Sequence, residues 1–423
     1  MKRGTSNFIA GLDIGSTVIR MAVGQFVEKD GSGGPELQIL GAAESESMGV
    51  HKGAINSIED VVSSVSAALE KTERIVGVPI DSVWLGISGL HVLSQNSKGV
   101  VAVSKADSEI SQEDVERALE AARAISTPLN YEVLHVLPKS FGVDGQVGIK
   151  DPIGMTGMRL EVDAQIILGS STHIKNLTKA VYRTGLEIDA LVLSILATAE
   201  AVTTHKQKEL GVVVVNLGGS TTSLAIYEDG DILHTAILPV GSDHITNDVA
   251  IGLRTSIDIA ERAKLEFGDC SADTFGKHDE IDLALAGAPE HEMIKKKYLS
   301  EIINARMEEI LQKIDVELRK AGRSGLLPAG IIFTGAGAKL PGLVEVAKKS
   351  LRLPASLGYP VNVFSVTDKV NDLGFVTAVG LVKWGGAMQA HGLRNNGGGV
   401  MGGLKKMNKA GGHLKKWFKA LIP

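Results

Sequence analysis

Two stretches of this chain share one unusual arrangement: "GLDIGSTVIRMAVGQ" near the start and "VVNLGGSTTSLAIYE" near the middle. Each is a hydrophobic strand reaching Asp13 or Asn216, a turn of small residues, and a second strand; the turns are Gly15, Ser16 and Thr17 in one, Gly218, Gly219, Ser220 and Thr221 in the other. Turn amides of this kind form concave nests for phosphate oxygens. Glycine lets a ligand approach the backbone closely, and the hydroxyls add donors. Asp13 is placed to hold a magnesium ion, through waters because magnesium dehydrates reluctantly. A third glycine turn, Gly335, Ala336 and Gly337 in "FTGAGAKL", comes late and reads as a wall against a nucleoside. One such turn is an ordinary tight hairpin. Three in this order point to a nucleotide.

The elements that must hold these turns follow from hydrophobic periodicity. "FIAGLDIGSTVIRMAVGQFV" gives two strands around the first turn, and "ELQILGAAES" a third. Residues 56–76 repeat Ile58, Val61, Val62, Val65 and Leu69 at helical spacing, with Asn56 or Ser57 as N-cap. "SVWLGISG" is a short buried strand. From 88 to 165 the pattern is strand, helix (111–126, capped by Ser111), strand and strand, with a loop in "GIKDPIGMTGMRLE"; this predicts a small inserted domain. The alternation then resumes with a strand, a helix at 173–184, a strand at 186–193 and a helix at 195–208. "GVVVVNLGGSTTSLAIYEDGDILHTAILPVG" is a three-strand meander, followed by helices at 242–253, 257–267 and about 291–321. "GIIFTGAGAKLPGLVEVAKKSL" is a strand, the third glycine turn and a helix. The class is α/β, with two related halves facing each other across a cleft.

Composition narrows the setting. One cysteine, Cys270, rules out an internal disulfide and fits a reducing compartment. No long apolar run precedes the first aspartate, so no signal peptide is read, and no stretch approaches the roughly 18 apolar residues of a spanning helix. The net charge of −5 hides an asymmetry: from Gly385 onward there are seven basic residues and no acid, leaving 37 basic against 49 acidic groups elsewhere. An acidic body with a basic tail argues against nucleic acid and for one cationic contact point.

That tail is "GGHLKKWFKALIP", behind a stretch, 385–412, with ten glycines and no periodicity, which reads as a flexible linker. As a helix, Leu414, Trp417, Phe418, Leu421 and Ile422 fall at i, i+3, i+4, i+7 and i+8 and share a face, with Lys415, Lys416 and Lys419 on the other sides. Eleven residues span about 16 Å, too short to cross a bilayer. The alternative is a terminal helix packed on its own domain. The long leash and the all-cationic charge favour an interfacial helix on anionic lipid.

The order of the two phosphate hairpins and the late "TGAGAKLPGL" resembles the actin, Hsp70 and sugar-kinase superfamily. Within it, "GLDIGST", "GIKDPIGMTGMRLE", "ELGVVVVNLGGSTTSLAIY", "AERAKLEFG", "IIFTGAGAKLPGL" and the amphipathic end occur in the order of the FtsA family, actin-like bacterial cell-division proteins that tie the tubulin-like FtsZ ring to the membrane. The resemblance implies an actin-like two-domain ATPase fold: a split first domain at 1–87, 166–208 and 356–384, an FtsA-type inserted subdomain at 88–165, a second domain at 209–355, a linker at 385–412 and a membrane-targeting helix at 413–423. It implies ATP and Mg2+ as ligands, with Glu261 and Lys264 on the helix pair that reaches the nucleoside. It implies self-assembly into filaments, binding of the FtsZ-like C-terminal peptide at Arg306, recruitment of later division proteins, and a place on the cytoplasmic face of the membrane at the division site.

The sequence also departs from the family. Val18 stands where many relatives have lysine, with Arg20 two positions on and on the same strand face. Asn216 and Ser223 stand where the second hairpin usually has acids. These losses predict slow hydrolysis more than weak binding, because backbone amides do much of the binding. The competing reading is a small-molecule kinase or phosphatase of the same superfamily. It requires a general base by an acceptor hydroxyl, and Glu200 and Asp189 offer no convincing context for one. A pilus-type actin-like protein is a third reading, which the insert motif and the tail disfavour.

Overall fold

A computed structural model describes residues 8–27, 36–104, 107–124, 127–276 and 278–395. The first half contains β1 (Ile9–Ile14), β2 (Val18–Val27), β3 (Glu36–Glu46), β4 (Val50–His51), β5 (Ala54–Ile55), α1 (Ile58–Val76) and β6 (Ser82–Ile87). The insert follows with β7 (Val92–Ala102), α2 (Gln112–Arg123), β8 (Tyr131–Val143), β9 (Gln146–Ile149) and β10 (Arg159–Ser170). The first half resumes with α3 (Ser171–Tyr182), β11 (Glu187–Leu193), α4 (Ser194–Val202) and α5 (His205–Leu210). The second half is β12 (Val212–Leu217), β13 (Thr222–Glu228), β14 (Asp231–Leu238), α6 (Ser242–Leu253), α7 (Ile257–Phe267), β15 (Glu280–Asp282), β16 (Met293–Lys295), α8 (Lys296–Lys320), β17 (Gly330–Thr334), α9 (Leu343–Leu351) and β18 (Ala355–Leu357). The chain returns through β19 (Val363–Ser365) to α10 (Val376–Asn395).

The two halves repeat one plan. The first sheet has the order β11-β6-β1-β2-β3-β19 and the second β14-β13-β12-β17-β18. In each, an antiparallel meander carries the glycine turn between its first two strands, and parallel strands continue from the first of them. The insert is a separate sheet, β7-β10-β8-β9, with α2 on one face. Of three apolar cores, one fills the first half and continues onto one face of the second half's sheet through Val214, Ala225 and Ile332, one fills the rest of the second half, and one lies in the insert. Val212, Val213, Val214 and Val215 are all fully buried, as expected of a strand covered on both faces.

Local chemistry sets the helix boundaries. Ser57 caps α1, its Oγ accepting from the Asp60 amide, and Gly77 ends it at φ +76°. Ser111 and Asp114 form a capping box at the start of α2. Several expected boundaries move. The helix expected at 195–208 breaks after Val202, where Thr204 and Gln207 form a new capping box and start α5. The helix expected from about 291 starts at Lys296, because 293–295 pair with 280–282 instead. The insert's last strand runs to Ser170, past the expected boundary at 165. The largest correction is at the expected linker: α10 continues through Gly385 and Gly386 to Asn395. A Cβ at Gly386 would collide with the Phe26 ring, and one at Gly385 would lie 2.5 Å from the Trp84 indole nitrogen. These glycines are close-approach positions in a packed helix, not linker. Residues 396–423, including the expected tail helix, lie outside the described residues.

Candidate functional site

The two glycine turns meet tip to tip. A Cβ on Gly219 would collide with Thr17 Oγ1 and lie 2.9 Å from both carboxylate oxygens of Asp243, so glycine is what allows the tips to close together. Behind the first turn, Ser47 donates from its amide to the Thr17 carbonyl (3.0 Å) and from its Oγ to the Gly15 carbonyl (2.7 Å). Ser16 Oγ accepts from the Gly53 amide at 3.3 Å. Behind the second turn, the first amides of α6 donate to it: Ser242 to the Gly218 carbonyl and Asp243 to the Gly219 carbonyl, each at 2.9 Å. The carbonyls are thus held back, while the amides of Ser16, Thr17, Gly219 and Ser220 donate to no acceptor among the described residues. Thr221 closes the second turn, its carbonyl accepting from the Gly218 amide at 3.0 Å. A rim of amides without acceptors is the chemistry that phosphate oxygens take.

The third turn is laid against the second hairpin. Gly335 has φ +85°, and a Cβ there would collide with Asn216 Oδ1. A Cβ on Gly337 would lie 2.7 Å from Leu217 Cγ and 3.0 Å from Ser242 Cβ, while Ala336 between them is exposed. Gly337→Asp therefore forces apart the end of β12 and the start of α6, in addition to placing a charge beside the rim. Isothermal calorimetry should show ATP affinity at least about 100-fold weaker in this variant, a loss of some 3 kcal/mol; unchanged affinity would remove the site.

Beneath the turns runs a polar chain that the sequence did not announce. Asn216 Nδ2 donates to Thr377 Oγ1 (3.2 Å), which lies 3.0 Å from Thr198 Oγ1, which donates to the Ser194 carbonyl (2.8 Å). Helices α4 and α10 thereby fix the second hairpin to the first half. Asp13 lies at the other side of this floor. Burial pushes its carboxyl up to about 6, against the pull of Arg20 and of the Ser194 hydroxyl. That hydroxyl is close enough to matter, yet Oγ makes no hydrogen bond of good geometry. A desolvated carboxylate opening on a phosphate rim suits a hydrated divalent cation, with Asp13 as the residue to hold it.

Other expected residues are placed differently. Lys264 is buried, its Nζ bonded to Glu261 Oε2 (2.6 Å) and Thr246 Oγ1 (2.8 Å), so it ties α7 to α6 behind the second turn; Glu261 keeps an outward face. Arg20 does not take the place of the missing lysine: its Nε bonds Glu44 at 3.0 Å and its guanidinium covers the Phe375 ring. Sequence reasoning missed Asp243, which accepts from Ser220 Oγ at 3.0 Å and puts an acid at the rim despite Asn216 and Ser223. Only its position at the start of a helix directly after "PVGS" hinted at it. Arg306 is half-buried on α8, held by Asp248 (Nη2 to Oδ1, 2.9 Å) and by Glu309, and Asp248 above all holds its guanidinium further up. Glu200 is paired with Lys208 at 2.6 Å and Asp189 accepts from Ser82 at 2.9 Å, both away from the turns.

Comparison with known proteins fits this geometry. The profile described as "Cell division protein FtsA" matches residues 213–380, and "SHS2 domain inserted in FTSA" matches 89–168. The Cell division protein FtsA of Pseudomonas aeruginosa is 36% identical, over 92% of this chain and 92% of that one. This chain belongs to the FtsA family. The FtsA of Escherichia coli K12 is 33% identical over 91% of this chain and 92% of its own, and that of Bacillus subtilis 35% identical over 88% and 82%. The fold is actin-like: it is similar to a chain of the PilM-PilN type IV pilus biogenesis complex (TM-score 0.64, 16% identity, 89% of this chain and 98% of that one). It is also similar to MreB5 of Spiroplasma citri bound to ADP (TM-score 0.55, 12% identity, 93% and 100%). In this FtsA-family chain the SHS2 match coincides with the four-stranded insert.

Proposed function

We propose that this chain is an ATP-binding, actin-like cell-division protein that polymerises on the cytoplasmic face of the membrane, anchors an FtsZ-like ring there and recruits later division proteins. The observation that carries the reading is the tip-to-tip meeting of the two phosphate hairpins at Thr17 and Gly219, with the third glycine turn against them, in a chain of the FtsA family. Asp13 holds magnesium through water, and the amide rim takes the phosphates. Turnover is slow, since Asn216 lacks the charge of the usual acid and donates its amide to Thr377. Magnesium bound by Asp13 would supply charge neutralisation at the phosphates.

Membrane attachment belongs to residues 413–423. No helix among the described residues is long and apolar enough to cross a membrane. One short interfacial helix binds modestly, so firm attachment comes from many tails on one polymer. The test is sedimentation with anionic liposomes: ATP should raise the lipid-bound fraction cooperatively with protein concentration, and a flat, ATP-independent fraction would oppose the reading.

The partner site rests on Arg306. Its guanidinium is shared between Asp248 and Glu309, so a partner carboxylate enters an existing charge network rather than meeting a lone cation. Arg306→Glu should weaken binding of the FtsZ-like C-terminal peptide about tenfold at low salt, and less at high salt. Because the variant also sets a third acid beside Asp248 and Glu309, Arg306→Gln serves as the control that separates peptide binding from local repulsion. Equal titration curves for parent and both variants place the peptide elsewhere.

A further inference from the structure

A groove that the nucleotide site does not use runs between the insert and the second half. One cavity of about 610 Å³ opens where α2, β8 and the loop 150–153 face α4, α5 and the β13–β14 turn. A second, of about 580 Å³, adjoins it and shares Lys139, Lys150, Asp229 and Asp231. Lys150 bridges the groove as a strut, bonded to the Asp231 carboxylate and, at 3.0 Å, to the Asp229 carbonyl.

Three properties define what would fill it. Its insert wall carries apolar side chains, Leu119, Ile153 and the edges of Val115 and Phe141, set among Glu116, Glu120, Arg123 and Lys139. Its first cavity is lined by seven Asp or Glu side chains against four Lys or Arg, so the occupant is cationic. Tyr227, 1% exposed, lines it with an Oη that has no hydrogen-bond partner. Burial keeps that phenol neutral, so it can both donate and accept. A buried hydroxyl without a partner, in an otherwise mixed apolar and charged cavity, is the mark of a ligand site.

The matching segment is in this chain. Residues 413–423, "HLKKWFKALIP", hold three lysines, two aromatics and no acid. Helix α10, which leads to them, is tied to the groove wall: Lys383 Nζ donates to the carbonyl of Glu200 at 2.9 Å, and Glu200 lines the first cavity. Between Asn395 and the segment lie residues 396–412. As a glycine-rich coil they would have a root-mean-square span of about 20–25 Å, and about 55 Å at full stretch.

We infer that this groove is the lipid-free resting site of the chain's own C-terminal segment, with Trp417 and Phe418 against Leu119, Phe141 and Ile153 and the lysines facing the carboxylates. The inference rests on the reading of the tail as a lipid anchor and adds its regulation: groove and membrane compete for one apolar face. Docking sheathes the aromatics in solution, and an anionic surface draws them out.

Tryptophan fluorescence tests this on the full chain. Of the three tryptophans, Trp84 and Trp384 are 6% and 1% exposed, so Trp417 is isolated by subtracting a Trp417→Phe variant. Without lipid and at low salt, acrylamide should quench Trp417 at least threefold less efficiently than it quenches a synthetic peptide of residues 411–423. Glu120→Lys with Glu209→Lys, exposed positions on opposite walls, should bring quenching to the peptide level and raise liposome affinity several-fold. If that variant does not fold, 0.5 M salt on the parent supplies the same readout. Quenching equal to the peptide's in the parent, or unmoved by both variant and salt, overturns the inference. So does shielding that appears only as protein concentration rises, which puts the tail on a second copy. If Trp417 is shielded without lipid but never moves to liposomes, the groove stands and the anchor reading falls; the reverse result keeps the anchor and removes the groove.

Discussion

Asp13→Asn should make the nucleotide-free protein more stable at pH 7, by about 2–3 kcal/mol, while abolishing magnesium-dependent nucleotide binding. The carboxyl titrates at about 6 in the fold against 3.8 as its ordinary value, chiefly because burial disfavours the charged form. Each unit corresponds to about 1.4 kcal/mol, and cleft water at the partly open side chain makes the resulting figure an upper bound. The sign follows from proton linkage. A raised folded value means that the native state binds the proton more tightly, so this stabilising contribution is complete below about 3.8 and is lost as pH rises through about 6. At pH 7 the fold therefore holds a carboxylate it would rather not have, which is the usual relation between a binding site and stability. His91 acts oppositely. Burial beside His173 lowers it to about 4, so its contribution is present above about 6.5 and is lost as pH falls toward 4. In the parent the two slopes offset each other between pH 4 and 6. The variant removes one of them. Urea melts from pH 4.5 to 7.5 should give a variant-minus-parent difference of about 1 kcal/mol at the acid end, climbing to a plateau of about 3 kcal/mol above pH 6. A variant less stable than the parent at pH 7 would contradict the placement of Asp13.

Trp417→Glu with Phe418→Glu should release the protein from anionic liposomes without changing its fold. Burying each aromatic is worth about 1.5–3 kcal/mol, so losing both, and adding two acids among three lysines, should cut lipid partitioning by at least about 100-fold. ATP affinity should stay within error of the parent, the melting temperature should fall by no more than about a degree or two as the segment leaves its groove, and an unrelated amphipathic helix in place of 411–423 should restore attachment. Pelleting by the double variant, or a melting temperature lower by several degrees, would make the tail part of a core.

Much of the fold was legible because its signals are local. Ser57, Ser111 and the apolar spacing of α1 report a helix wherever they occur, and the two glycine hairpins announce themselves by repetition. The break at Thr203–Thr204 was also local, since Thr204 and Gln207 are a capping pair, but the apolar run before it masked the signal. Gly385 and Gly386 were illegible for a different reason. A glycine that yields to a ring and a glycine in a loose linker have the same sequence, and only the distant Phe26 and Trp84 tell them apart. The floor of the site was hidden likewise: Thr198 and Thr377 are unremarkable helix residues until α4 and α10 bring them under Asn216. Arg20's partner was illegible because strand alternation gives a face but not a partner, and Glu44 on the neighbouring strand claims it.

The central claim is a nucleotide-dependent polymer on lipid, and electron microscopy on anionic lipid monolayers tests it most directly. Filaments that form with ATP and magnesium, fail without nucleotide, and fail in Gly337→Asp are the predicted result. Equal filaments with and without ATP, or bare monolayers alongside brisk phosphoryl transfer to a small acceptor in solution, would contradict it.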